Sequence, residues 1–216
     1  VRDETTNGDR EGRALTATRM AADVVRAGLA VAAVVVAILG SVDGAVRLGV
    51  AAAVLLVPRL GKVPPLFDLA VCLTIPTAMI ASILGWYQSV PWIDWVLHTV
   101  DTGAIAAALH LLLIRAEVFP PLLDRGVRTV ANPLLTLMLG WTIGMLWEFY
   151  EWIGERLLGM EMVVGYTDTV GDLLADGAGS LGAGLLLTLW ATTIGRRRHR
   201  WLVAAGAADH GRSLRT

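Results

Sequence analysis

The chain has 216 residues, 55% hydrophobic and 17% charged, with a formal net charge of −1 and a mean hydropathy of +0.61. An ordinary soluble domain carries about 25% charged residues, whereas here 27–42, 48–58, 69–93, 102–114, 129–147 and 177–195 carry none. These figures exclude a disordered chain, a collagen-like chain and a typical nucleic-acid binder, and they imply an all-α integral membrane protein.

The first 18 residues mix Asp, Glu, Arg, Thr and Gly with almost no large apolar side chain. Residues 1–20 therefore read as a disordered tail, 21–195 as a transmembrane domain and 196–216 as a basic tail. The long acidic lead-in, with no small-residue cleavage pattern after it, argues against a signal peptide. Val1 fits an alternative bacterial start codon or a trimmed chain. A spanning helix needs about 20 mostly apolar residues, and six segments qualify: 24–41, 44–58, 66–87, 92–114, 133–155 and 171–194. The second is the weakest, with Arg47 and Arg59 bracketing it closely; Ser41 to Gly44 would turn the chain into it. The single cysteine, Cys72, lies within the third segment and excludes a disulfide framework.

Six spans sort the cations. With the N-terminus inside, sixteen of the 18 Lys and Arg residues fall on one side, and only Arg47 and Arg156 on the other. The positive-inside bias then places both termini in the cytoplasm of a bacterial inner membrane. Trp86, Tyr87, Trp92, Trp95, Trp147, Tyr150, Trp152 and Tyr166 gather near the opposite ends, as an interfacial belt does.

That outer side is acidic. In the fourth segment Asp94, His98 and Asp101 stand at i, i+4 and i+7, and so share one helix face. Asn132-Pro133 reads as a cap and first-turn proline opening the fifth segment, which later presents Glu148, Glu151 and Glu155. Asp168 or Thr169 would cap the sixth, with Asp172 and Asp176 following at i+4 steps. Each group also has a plainer reading. Capping accounts for Asp168 and Asp172 about as well as ligation does, Glu151 and Glu155 suit a surface, and a lone His98 suits a hydrogen-bonded interior. Glu148, Asp101 and Asp176 are harder to explain away. A carboxylate inside a membrane costs about 2.5–3.5 kcal/mol on insertion scales and calls for a partner. One imidazole with several carboxylates is a ligand set for a divalent cation. Asp94, His98, Glu148, Glu151, Asp168 and Asp172 are the candidate ligands, and Glu148 and Asp172 the candidate catalytic groups. Asp101, Asp176 and Arg47 are further intramembrane polar residues, Arg47 being suited to an anion such as phosphate.

At these residues the sequence resembles a family. Asp94-Trp-Val-Leu-His98, Trp147-Glu148-Phe-Tyr-Glu151-Trp152 and Asp168-Thr-Val-Gly-Asp172, with Gly179 behind them, resemble the YjdF-type bacterial inner-membrane proteins. A looser similarity reaches the VanZ-like teicoplanin-resistance membrane proteins. The resemblance covers about residues 90–185 and implies a multi-spanning membrane protein, without assigning a role to any residue. Asp176 departs from it, since relatives often carry Asn or a small residue there.

Ala175, Gly179 and Ala183, with Gly177, Ser180, Gly182 and Gly184 interspersed, form a small-residue face. Such a face suits close helix packing in lipid, either within the bundle or across a homodimer. Three functions remain open. The first is a metal-dependent hydrolase or transferase acting at the outer leaflet on a lipid-linked or other anionic envelope substrate. The second is a proton- or cation-coupled small transporter. The third is a non-catalytic membrane assembly partner.

Overall fold

The computed structural model describes residues 2–90, 92–123, 129–159 and 164–193. Among the described residues the ordered elements are all helices: α1 (Arg2–Ile38), α2 (Val42–Val54), α3 (Leu56–Leu60), α4 (Pro65–Ile83), α5 (Trp86–Ser89), α6 (Ile93–Arg115), α7 (Ala131–Leu158) and α8 (Tyr166–Thr193). Four have stretches long and apolar enough to cross a membrane: Gly12–Ile38, Pro65–Ile83, Ile93–Arg115 and Tyr166–Thr193.

Two sequence expectations meet a different geometry. The first helix begins at Arg2, not near residue 20; no proline interrupts residues 2–38, and the helix propagates through the charged segment. The segment 44–58 divides at Leu55 into α2, of 13 residues, and α3, of five. At 1.5 Å per residue α2 measures about 20 Å, short of a hydrocarbon core of about 30 Å. The helix α7 has 28 residues, enough in length, but its C-terminal part carries Glu148, Glu151, Glu155 and Arg156. The expected basic tail lies outside the described residues.

The chain forms two compact units, 1–90 and 91–216. In the first, α1 packs on α2 and on α4. Gly40 turns the chain at φ 89°, and the Ser41 Oγ accepts from the Gly44 amide at 3.4 Å to open α2. A charged network holds the other end together. Arg26 is 6% exposed and Asp68 1%. The Arg26 guanidinium donates to the Leu55 carbonyl at 2.7 Å, to Asp23 at 3.0 Å and to Asp68. Arg59 donates to Asp23 at 2.9 Å and so closes the group from α3. Two cations meet two carboxylates, and each buried charge has a counter-ion, which is the condition for burying it.

In the second unit α8 packs on both α6 and α7 along their lengths, and those two meet each other less extensively. Glycine sets the separations. A Cβ on Gly103 would stand 2.8 Å from the Gly179 carbonyl oxygen, and one on Gly179 would overlap the Thr99 carbonyl, so the α6 and α8 backbones nearly touch. On the α7 side, a Cβ on Gly140 would overlap Ser180, and one on Gly144 would overlap the Asp176 carboxylate. The small-residue face of α8 is thus used inside this unit, and of its glycines only Gly182 faces open space.

Candidate metal centre

Three polar stripes at i+4 spacing converge inside the second unit. The first is Asp94, His98 and Thr102 on α6; the second is Asp172, Asp176 and Ser180 on α8. The third is Glu148, Gly144 and Gly140 on α7, where the two glycines leave room for the α8 side chains. The helix starts differ from those expected. α7 starts at Ala131 with Val130 as its cap, and the Asn132 amide instead donates to the Leu122 carbonyl at 2.8 Å, anchoring the preceding connection. α8 starts at Tyr166, which places Asp168 in the first turn; there its charge suits the positive end of the helix dipole.

Asp94, His98 and Asp172 each offer a ligand atom, and the three atoms lie within 4.8 Å of one another. Asp172 is 1% exposed and neither of its carboxylate oxygens has a hydrogen-bond partner. The His98 Nε2 stands 3.6 Å from the Asp94 Oδ1, and the His98 side chain is 10% exposed. Buried carboxylates without donors are expensive, so a positive charge among these atoms would be stabilised. A divalent cation fits this donor set: the atoms converge, they mix imidazole nitrogen with carboxylate oxygen, and three protein ligands leave positions for water or substrate.

The remaining expected residues are not members of this trio. Glu148 is 8% exposed, its Oε1 has no partner, and its charge is close enough to repel that of Asp172, as is that of Asp168. Glu151 is half-buried beside Glu148 and accepts a side-chain hydrogen bond from Trp147. Asp101 is half-buried on α6 outside the trio. Arg47 is exposed on α2, in the first unit.

A family model described as "Predicted membrane protein (DUF2238)" matches residues 20–193. The chain belongs to the DUF2238 family. No curated protein and no solved structure matches it. The match covers all four apolar helices from residue 20 onward, together with every member of the acidic cluster, so DUF2238 membership accounts for a membrane protein of several apolar helices.

Three groups escaped the sequence reading. Thr102 donates its hydroxyl to the Asp176 Oδ1 at 2.6 Å. A threonine in an apolar helix carries no burial penalty that would flag it, and its place one turn beyond His98 was the available signal. Thr136, fully buried on α7, donates to the Asn132 carbonyl at 2.8 Å and meets the His110 Nδ1 at 2.8 Å. Both contacts are satisfied together when His110 donates from Nδ1 to the Thr136 hydroxyl. Asp68 escaped as well, since its partner Arg26 is 42 residues away in sequence.

Proposed function

We propose that this DUF2238 protein is a six-span inner-membrane protein with both termini in the cytoplasm, holding a divalent cation near the outer leaflet for hydrolysis or group transfer on a lipid-linked or other anionic envelope substrate. The observation that carries the reading is the convergence of Asp94, His98 and Asp172 within 4.8 Å, with both Asp172 oxygens buried and unpartnered. The likeness of the three motif blocks to YjdF-type proteins supports the inner-membrane setting. A cation held there supplies Lewis-acid activation of a substrate oxygen or a water. Glu148, buried with a free Oε1 nearby, takes the proton of the attacking water and returns it to the departing group.

The test is elemental analysis of detergent-purified protein. About one divalent ion per chain is expected in the wild type, with loss in His98→Ala and Asp172→Asn. Metal at the same level in all three would overturn the site. A coupled transporter is the second reading, and the observation favouring it is the buried His110–Thr136–Asn132 group in the otherwise apolar part of this unit. Flux in proteoliposomes that is lost in His110→Phe would select it over the enzyme.

A further inference from the structure

Asp176 lies on α8 one turn beyond Asp172 and is fully buried. Two donors meet on its Oδ1: the Thr102 hydroxyl at 2.6 Å and the His98 Nδ1 at 3.0 Å. A carboxylate oxygen that already accepts from Thr102 is placed to accept from the imidazole as well, the arrangement that puts a proton on Nδ1. The opposite ring nitrogen, Nε2, is the one that looks toward Asp94, 3.6 Å away. Gly144 admits the carboxylate to this position, since a Cβ there would overlap the Asp176 Oδ2. Three helices thus combine to hold one carboxylate against the far side of His98.

We infer that Asp176 is a positioning residue for the cation site. It fixes His98 as the Nδ1–H tautomer, holds the ring plane, and leaves the Nε2 lone pair to ligate beside Asp94 and Asp172. Thr102 steadies Asp176 in turn. The inference rests on the cation reading above and adds to it which histidine nitrogen binds and what orients it. An outer carboxylate on a ligating imidazole raises the ligand's basicity, and its loss characteristically costs 10–100-fold in metal affinity. Structural glue would behave differently, for it would lower thermal stability while leaving affinity and tautomer as they were.

The experiment uses the full-length protein in detergent micelles, with Mn²⁺ as the probe. Two quantities are read in wild type, Asp176→Asn and Asp176→Ala: the Mn²⁺ dissociation constant by electron paramagnetic resonance, and the protonation of the His98 ring nitrogens by ¹⁵N chemical shift in metal-free protein. The wild type should show Nδ1–H. Asp176→Ala should weaken Mn²⁺ binding about 10–100-fold and release the tautomer. Asp176→Asn, whose amide carbonyl still accepts from Nδ1–H, should keep the tautomer and lose less affinity. If Asp176→Ala fails to fold, the same reading is taken from Asp176→Asn against wild type. Equal Mn²⁺ affinity in wild type and variants overturns the positioning role and leaves the cation site standing. An Asp176-dependent Nδ1–H tautomer in a wild type that binds no Mn²⁺ overturns the cation reading instead.

Discussion

At the scale of single residues, the chain manages buried charge in two contrasting ways. In the first unit Arg26 and Asp68 sit almost out of solvent with their charges matched, and Asp23 and Arg59 extend the pair into a network of four. In the second unit Asp172, Asp176 and Glu148 are as deeply buried, yet each has at least one oxygen without a donor. The same chemical cost is met by counter-ions in one place and left open in the other, which separates a structural cluster from a candidate binding site. Substitution of Arg26 checks the structural half of that contrast. Arg26→Met strands Asp68 and should cost about 3–5 kcal/mol, read as a lower midpoint of thermal unfolding in detergent. Adding Asp68→Leu should restore most of the loss, because an apolar pair replaces a buried ion pair at little net cost. A single variant as stable as wild type would show that the pair carries no load.

At the scale of helices, the second unit depends on how closely α8 approaches its neighbours. Gly179 and Gly103 let the α6 and α8 backbones meet, while Gly140 and Gly144 let Ser180 and Asp176 enter the α7 surface. The Trp141 indole then donates to the Leu173 carbonyl at 2.9 Å and ties α7 to α8 again. With so little hydrophobic drive between helices in lipid, close contact and such hydrogen bonds supply the association. Gly179→Val is accordingly expected to be severe. Overpacking costs about 1–3 kcal/mol when side chains yield, and more here, because the obstacle at Thr99 is backbone that cannot rotate away. The measurement is thermal unfolding beside Gly182→Val, at a position with open space, which should stay near wild type. Similar losses in both would place the α6–α8 contact elsewhere.

At the scale of the whole molecule, the arrangement in the membrane is decided by the number of crossings. Without a crossing at 44–58, α1 and α4 would put Lys62 on the side opposite the N-terminus and Gln88 on the same side as it. A crossing at 44–58, as six spans require, reverses both placements. Single cysteines at 62 and 88, in a Cys72→Ala background and labelled in sealed vesicles against an N-terminal tag, separate the two. The expected result is Lys62 sharing the side of the N-terminus and Gln88 opposing it, because six spans would gather sixteen of the 18 cations on one side. The reverse pattern would remove the crossing at 44–58. The acidic cluster lies toward the end of the unit where α6 and α8 begin and α7 ends, so the same labelling also assigns the side of the membrane nearer to it.

The sequence by itself determined the class of this protein, because the absence of charge over helix-length stretches is a local property that lipid selects directly. It also located the acidic stripes, since i+4 spacing is read along one helix. Asp94 with His98, and Asp172 with Asp176, were visible for that reason. Only the tertiary structure decided which residues meet: that Asp172 joins Asp94 and His98 while Glu151 and Asp168 stand aside, that Asp176 receives both His98 and Thr102, and that Arg26 finds Asp68. Those pairings depend on rotation and depth of one helix against another. They are set by glycines and side-chain volumes spread over three helices, and no periodicity within a single helix carries that information.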